Sequence, residues 1–255
     1  MHPVHAPSRP AADLPRYPAP VSARRALGVA GLLAIAPGGT VLDVAAGPTG
    51  LLFDVVARNG CRGIGLAGSE AAAAAARAAA EREGLGGRVE FRVATPVEFA
   101  PARRCDAILC VGAADGRAQS PGDAAARCLE WLRVGGVLVY GGPFLRRTPA
   151  DGYRELLGAG ADGLRMTGAS ACAVVGAGFE LLLTLVLSES EWDAHASAVY
   201  REQLRQAASV ADAHEALARR ERADRWYQAY WKYGRDTLGY GLHAFRKPRH
   251  ALHAI

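Results

Sequence analysis

The chain has 255 residues, half of them apolar, and a formal net charge of +5. That length can bury a substantial core, as one large domain or a domain with an insertion, while no uncharged apolar run approaches the ~18–20 residues of a membrane helix. The basic residues do not interleave with aromatics, and the wealth of Arg and Ala with little Lys looks like base composition, so neither a membrane nor a nucleic acid is expected as a partner. Five cysteines stand at positions 61, 105, 110, 128 and 172. None forms a C-x-x-C pair, which argues against a disulfide framework or a structural zinc, and no metal site is expected. The start, Met1-His2-Pro3-Val4-His5, carries no charged-then-apolar signal pattern. A reduced, cytoplasmic protein is the expectation, with a flexible tail over 1–20 and a single domain over 21–255.

Strand-like and helix-like segments alternate from 21 to about 140. Thr40-Val41-Leu42-Asp43 is an apolar strand ending on an acid. It runs into a loop of small residues, Val44-Ala45-Ala46-Gly47-Pro48-Thr49-Gly50, and then into a helix over 51–59 that Gly60 suits as a left-handed C-cap. A strand, a tight turn and a helix in that order build a nucleotide pocket at the carboxyl end of a first strand, where small residues let the backbone approach a ligand. A second strand at 63–67 leads to Ser69 as N-cap of an alanine-rich helix over 70–83. Residues 89–93 alternate as a half-exposed third strand, and 106–111 form a continuous apolar fourth strand suited to the middle of a parallel sheet. A helix over 127–132 precedes a fifth strand at 137–140. Right-handed crossovers between such strands give a doubly wound α/β sheet.

The later sequence changes character. A long apolar strand over 179–187 is followed by Ser188 and Glu191, spaced as a capping box. Charged helical sequence then runs to about 232, with a break near 209–212, before a final strand at 238–245. Seven strands are expected, mostly parallel with the last antiparallel, and a helical insertion over about 190–233 is expected to act as a lid at the strand ends.

The 40–50 segment resembles motif I of the class I S-adenosylmethionine (SAM) methyltransferases. Asp43 keeps the acidic position, and Ala45-Ala46-Gly47 replaces the usual glycine-rich run. Leu132-Arg133-Val134-Gly135-Gly136-Val137-Leu138 and Gly84-Leu85-Gly86-Gly87-Arg88-Val89-Glu90-Phe91 are similar to their counterparts in bacterial small-molecule methyltransferases of that superfamily. Ser190-Glu191-Trp192-Asp193, Trp226-Tyr227-Gln228-Ala229-Tyr230 and Lys232-Tyr233-Gly234-Arg235-Asp236-Thr237 resemble a subgroup with a helical lid. The resemblance implies a Rossmann-like methyltransferase fold and SAM as cofactor. It implies SAM contacts at Asp43, Ala45, Gly47, Gly50, Ala67, Thr95 and Gly112.

Several positions depart from the pattern. Ala67 stands where the family carries an acid for the ribose hydroxyls, and Thr95 where an acid commonly meets the adenine amine. The subgroup's His after the fourth strand is replaced by the run Ala113-Ala114-Asp115, and its later Glu by Ala196. Each lost charge-assisted contact removes roughly 1.5–3 kcal/mol, or one to two decades of affinity. Glu70 can reach a ribose or simply complement its own helix dipole.

Asp43, His195 and Asp115 are the catalytic candidates. Asp43 either approaches a ligand cation or bonds only its own loop. Asp115 lies where substrate and cofactor meet in doubly wound folds, or is a solvated turn residue. His195 follows Glu191 by one helical turn, so it is a general base oriented by Glu191 or Asp193, or else a surface residue. Trp192, Trp226, Tyr227, Tyr230 and Trp231 read mainly as packing, with a possible aromatic wall for a cation. Three functions remain open: SAM-dependent methyl transfer to a small molecule in natural-product biosynthesis; SAM-independent closure of an aziridine or azetidine by an amine; and a pseudomethyltransferase subunit without catalysis. A homo- or hetero-oligomer is compatible with each.

Overall fold

The structure, a computed structural model, describes residues 16, 17, 20–45, 49–112, 120–157, 164–166 and 168–249. Its centre is one seven-stranded sheet, ordered β3-β2-β1-β4-β5-β7-β6. The strands are β1 (Thr40–Asp43), β2 (Arg62–Ala67), β3 (Val89–Val93), β4 (Cys105–Val111), β5 (Leu132–Leu145), β6 (Glu180–Val186) and β7 (Leu238–Arg246). β7 runs antiparallel to both β5 and β6, and the pairs among β1 to β5 are parallel. The doubly wound, mostly parallel α/β sheet expected from the alternation of elements is present. Chain order reverses between β1 and β4, which makes their carboxyl ends the crevice where such sheets bind ligands.

Helices cover both faces: α1 (Ala23–Leu33), α2 (Gly50–Asn59), α3 (Glu70–Arg82), α4 (Pro121–Trp131), α5 (Asp151–Leu157), α6 (Ala169–Gly176), α7 (Glu189–Ala208) and α8 (Ala213–Ala229). One core sets α1, α2 and α3 against Val41, Leu109, Val139 and Leu242. The other sets α4 and α6 against Leu42, Ile108, Leu138 and Phe245. Neighbouring residues of β1 and β4 thus enter opposite cores, which is why Val41-Leu42 and Ala107 to Val111 are continuously apolar. Ser69 accepts from Ala72 N at 3.2 Å and starts α3, while Gly60 ends α2 at φ 65°. Both match the caps read from the sequence.

Three differences have local causes. The helix expected at 127–132 begins at Pro121, where Ser120 Oγ accepts from Asp123 N at 3.2 Å. Proline suits the first helical turn because no amide is needed there, so Pro121-Gly122 opens a helix instead of a loop. The strand expected at 137–140 extends to Leu132–Leu145, since β7 pairs with it from Val137 to Leu145. The apolar strand expected at 179–187 forms as β6, yet Leu181, Leu182, Leu183 and Val186 are exposed at the sheet edge. Arg16 and Tyr17, within the segment read as a tail, are bonded to α2: Arg16 Nη2 and Tyr17 OH donate to Asp54 at 2.7 and 2.9 Å.

The late helical insertion is a hairpin of α7 and α8, broken at 209–212 as expected. Ser188 and Glu191 form the capping box, and Asp212 caps α8 by accepting from Glu215 N at 2.7 Å. The hairpin closes by stacking of Tyr200 on Tyr227, with ring centroids 4.3 Å apart. A π-helical turn, Tyr230–Gly234, and a last helical turn, Arg235–Thr237, return the chain to β7. β6 ends and β7 begins side by side, with Val186 opposite Gly241. Through Gly141 opposite Leu242 and Val111 opposite Gly141, that is the same sheet end at which β1 and β4 finish. Arg146 holds both roots of the hairpin. Its Nε donates to Leu238 O at 3.1 Å and its Nη2 to Leu187 O at 3.4 Å. Arg146→Met keeps the aliphatic stem and removes both donors, at a cost of about 2–3 kcal/mol for charge-assisted bonds. Limited proteolysis is expected to cut residues 209–212 faster in this variant, and its melting temperature to fall. Unchanged cleavage would show that the strand ladder alone holds the hairpin.

Candidate functional site

Asp43 is the last residue of β1 and is only 5% exposed. Its Oδ1 accepts from Ala45 N at 3.0 Å, and Val44 N donates to Leu109 O at 3.0 Å, which fixes the loop start against β4. The carboxylate therefore does bond its own loop, and the Ala45 amide is engaged by it. Burial pushes the Asp43 pKa up to about 7, the Ala45 amide opposing the shift. A carboxylate in so dry a place becomes an anion readily only when a cation joins it. The buried Cys110 thiol is pushed up to about 12 by burial, with Asp43 adding to it.

Gly50 N donates to Arg16 O at 2.8 Å, and a Cβ on Gly50 would collide with that carbonyl. The Gly50 amide thus serves the chain's own N-terminal segment, and glycine is needed for that close approach. Gly47 and Asp115 lie outside the described residues. Gly112 ends the β4 region at φ 79° and donates its N–H to Gly141 O at 3.1 Å.

Ala67 is 1% exposed and brings no side-chain acceptor to the end of β2. Glu70, nearby, is paired with Arg77 at 2.6 Å along its own helix face. Thr95 is exposed, and its Oγ1 donates to Glu98 Oε2 at 2.7 Å while its N–H reaches the same oxygen at 3.2 Å. Those bonds hold the Glu98 carboxyl below its ordinary range. Thr95, an expected SAM contact, sits in a Thr–Glu turn, and Glu98 is an acid beyond β3 that the sequence reading missed. Its signal was present: Thr95 and Glu98 have the Thr-x-x-Glu spacing of a capping box.

His195 lines a cavity of ≈ 290 Å³ together with Arg16, Tyr17, Pro20, Val21, Ser22, Ser190, Glu191 and Ala194. The cavity lies between α7 and the chain entering α1. Glu191, expected to orient His195, accepts from Ser22 Oγ at 3.0 Å and Arg25 Nε at 3.3 Å, besides its capping bonds. Asp193 is held by Tyr230 OH at 2.7 Å and Arg235 Nε at 3.0 Å. The two carboxylates dock α7 onto α1 and onto the end of the insertion. His195 meets the edge of Trp192, at 6.2 Å between ring centroids. Asp43 is not among the residues lining this cavity. Sequence reasoning also missed Tyr240, a 2% exposed residue of β7 whose ring meets Trp192 at 6.2 Å.

The geometry is that of a ligand crevice at β1 and β4, with a helical hairpin rooted at the same end. The methyltransferase domain family matches residues 42–140, which span the first strand to the fifth. Over the rest of the chain the likeness is one of fold, the Rossmann-like methyltransferase fold. An uncharacterised protein of Escherichia coli K12, YjhP, is 26% identical over 223 residues, covering 84% of this chain and 86% of YjhP. A SAM-dependent methyltransferase of Geobacter sulfurreducens, solved with S-adenosyl-L-homocysteine, superposes with a TM-score of 0.82 at 22% identity, covering 94% of this chain and 96% of that one. The [4+2]-cyclase SpnF shares the fold at a TM-score of 0.66 and 23% identity, over 88% of this chain and 82% of its own.

For a methyltransferase the residues fit SAM unevenly. The dry Asp43 carboxylate suits a cationic methionine end, and Glu98 offers an acceptor beyond β3. Ala67 offers the ribose hydroxyls nothing. Among the described residues no group of three or more metal ligands occurs, and no helix is long and apolar enough to cross a membrane.

The raised Asp43 pKa has a consequence for stability. The unfolded chain loses this proton near 3.8, the folded one near about 7. As pH rises between those values the unfolded state binds fewer protons, so it gains on the folded state. Asp43→Asn removes the effect. Its melting temperature is expected to gain on the wild type from about pH 4 to about pH 7, then to keep a constant lead. A difference that stays flat across this window would show that Asp43 ionises normally in the folded protein.

Proposed function

We propose that this methyltransferase-fold protein transfers the methyl group of SAM to a small molecule in specialised metabolism, beneath the α7–α8 hairpin acting as a lid. The buried Asp43 at the β1–β4 crevice carries the reading, because an isolated carboxylate there favours a cationic ligand. SAM, when bound, supplies an electrophilic methyl group on a sulfonium. Asp43 would face its positively charged methionine end, where Coulomb attraction exceeds its value in water. The Gly112 turn would bound the reacting side. His195, lining the cavity under α7, would accept the proton of the attacking oxygen or nitrogen. Catalysis would rest chiefly on proximity and alignment of acceptor and methyl.

A second reading is ring closure by an intramolecular amine displacement without SAM. Two observations favour it: Ala67 leaves the ribose site without its acid, and Asp43, with a pKa of about 7, is matched to taking an ammonium proton near neutral pH. The fold itself does not decide, since a [4+2]-cyclase carries it too.

Calorimetry with SAM and S-adenosylhomocysteine separates the two. Micromolar binding is expected, and Ala67→Asp should tighten it about tenfold by restoring one charge-assisted contact. Absence of binding in both proteins would leave the ring-closure reading. In the active wild type, Asp43→Asn should lower turnover at least about tenfold while the protein stays folded. Full turnover in that folded variant would exclude Asp43 from either chemistry.

A further inference from the structure

Two buried polar hydrogens under the hairpin have no acceptor. Trp192 Nε1 and Tyr240 OH are the side-chain polar atoms among the described residues that are buried without a hydrogen-bond partner. They belong to adjacent rings, 6.2 Å apart and inclined at 65°. Trp192 comes from the first turn of α7, and Tyr240 from β7 just past the hairpin's return. Tyr240 lies beside Gly112 at the end of β4. The Gly112 amide opposes the rise that burial causes in the phenol's pKa, but it already donates to Gly141 O at 3.1 Å. The phenol therefore stays protonated and keeps a hydrogen to donate.

Such atoms are costly to bury, and native proteins satisfy the great majority of them. Phenylalanine at either position would keep most of the packing without the penalty. An indole N–H only donates, and a protonated phenol donates readily, so the group that completes this pair is an acceptor. Around these rings Tyr230 stacks on Trp192 at 6.4 Å, His195 meets Trp192 in a T-shaped contact, and the rest of the packing is apolar core. We propose that Trp192 and Tyr240 form the orienting end of the acceptor-substrate site, and that they bind an oxygen, a carboxylate or carbonyl, on a mainly apolar small molecule. This deepens the methyl-transfer reading and rests on it for the word acceptor. The π-helical turn at Tyr230–Gly234 and the break at 209–212 bound the hairpin segment that would shift to admit the molecule. Such turns within helices are frequent at functional sites.

Benzoate and benzylamine are suitable probes because they share a ring but differ in the sign of the polar group. In nitrogen–proton correlation spectra the Trp192 indole signal is identified by its loss in Trp192→Phe. Benzoate is expected to shift it downfield, and benzylamine to leave it in place. Tyr240→Phe should weaken the benzoate response about tenfold, the scale of one bond to a charged acceptor. Without any ligand, Tyr240→Phe should melt no lower than the wild type, and about 2–4 °C higher if the full penalty is relieved. A clear fall in its melting temperature would mean that the hydroxyl is bonded within the fold, and would overturn the proposal. An indole signal that ignores benzoate, or that follows benzylamine, would overturn it as well. Calorimetry with S-adenosylhomocysteine on the same two proteins keeps the readings apart. Loss of that binding in the wild type removes methyl transfer without touching the benzoate result, and Tyr240→Phe is expected to bind it as the wild type does.

Discussion

A carboxylate held away from water at the point where strand order reverses governs this structure. Asp43 ends β1, its loop is pinned to β4 through Val44 and Leu109, and its own oxygen closes the turn on Ala45. Two costs meet there. Parallel strands must end without further pairing, and a buried acid must stay neutral or find a cation. A ligand with positive charge at the strand ends would relieve the second. The same desolvation that weakens the unliganded protein at neutral pH therefore strengthens attraction to such a ligand.

The walls of the cavity beside α7 come from distant parts of the chain. Arg16 and Tyr17 fasten the N-terminal segment to Asp54 of α2, and Arg16 O closes over the first amide of that helix. From the other side, Glu191 brings α7 to Ser22 and Arg25. The ion pair between Arg25 and Glu191 is partly exposed and worth little in itself. Its effect is geometric: it sets His195 and the start of α1 around one cavity. Arg146 ties the two roots of the hairpin together at the same end of the sheet.

The uneven fit to SAM follows from that arrangement. In the proposed SAM site the methionine side would keep its acid at Asp43, the ribose side would lack one at Ala67, and the adenine side would meet the Thr95–Glu98 turn. Fold and chemistry are separable in such sheets, because the strand ends and loops can change without disturbing the two cores. The aromatic group of Trp192, Tyr230 and Tyr240 would lie on the substrate side of that site, and the unpartnered Trp192 Nε1 and Tyr240 OH are a stability cost that packing alone does not explain.

The amino-acid sequence determined the order and kind of most elements, because each rests on local chemistry. Apolar runs made the strands, Ser69 and Gly60 set helix ends, and Ser188 with Glu191 started α7. It also marked Asp43, since an acid closing an apolar strand before small residues has few other uses. Tertiary structure decided what local patterns could not carry. β5 is long because β7 pairs along it, and the apolar β6 lies at an edge because β7 inserts beside β5. Glu191 reaches Ser22 and Arg25 by α1, and Asp193 reaches Tyr230 and Arg235, contacts that local spacing on α7 does not reveal. Tyr240 gained its meaning only from being brought against Trp192, nearly fifty residues earlier in the chain. Contacts between residues so far apart depend on how sheet and helices pack, and no local run of sequence encodes them.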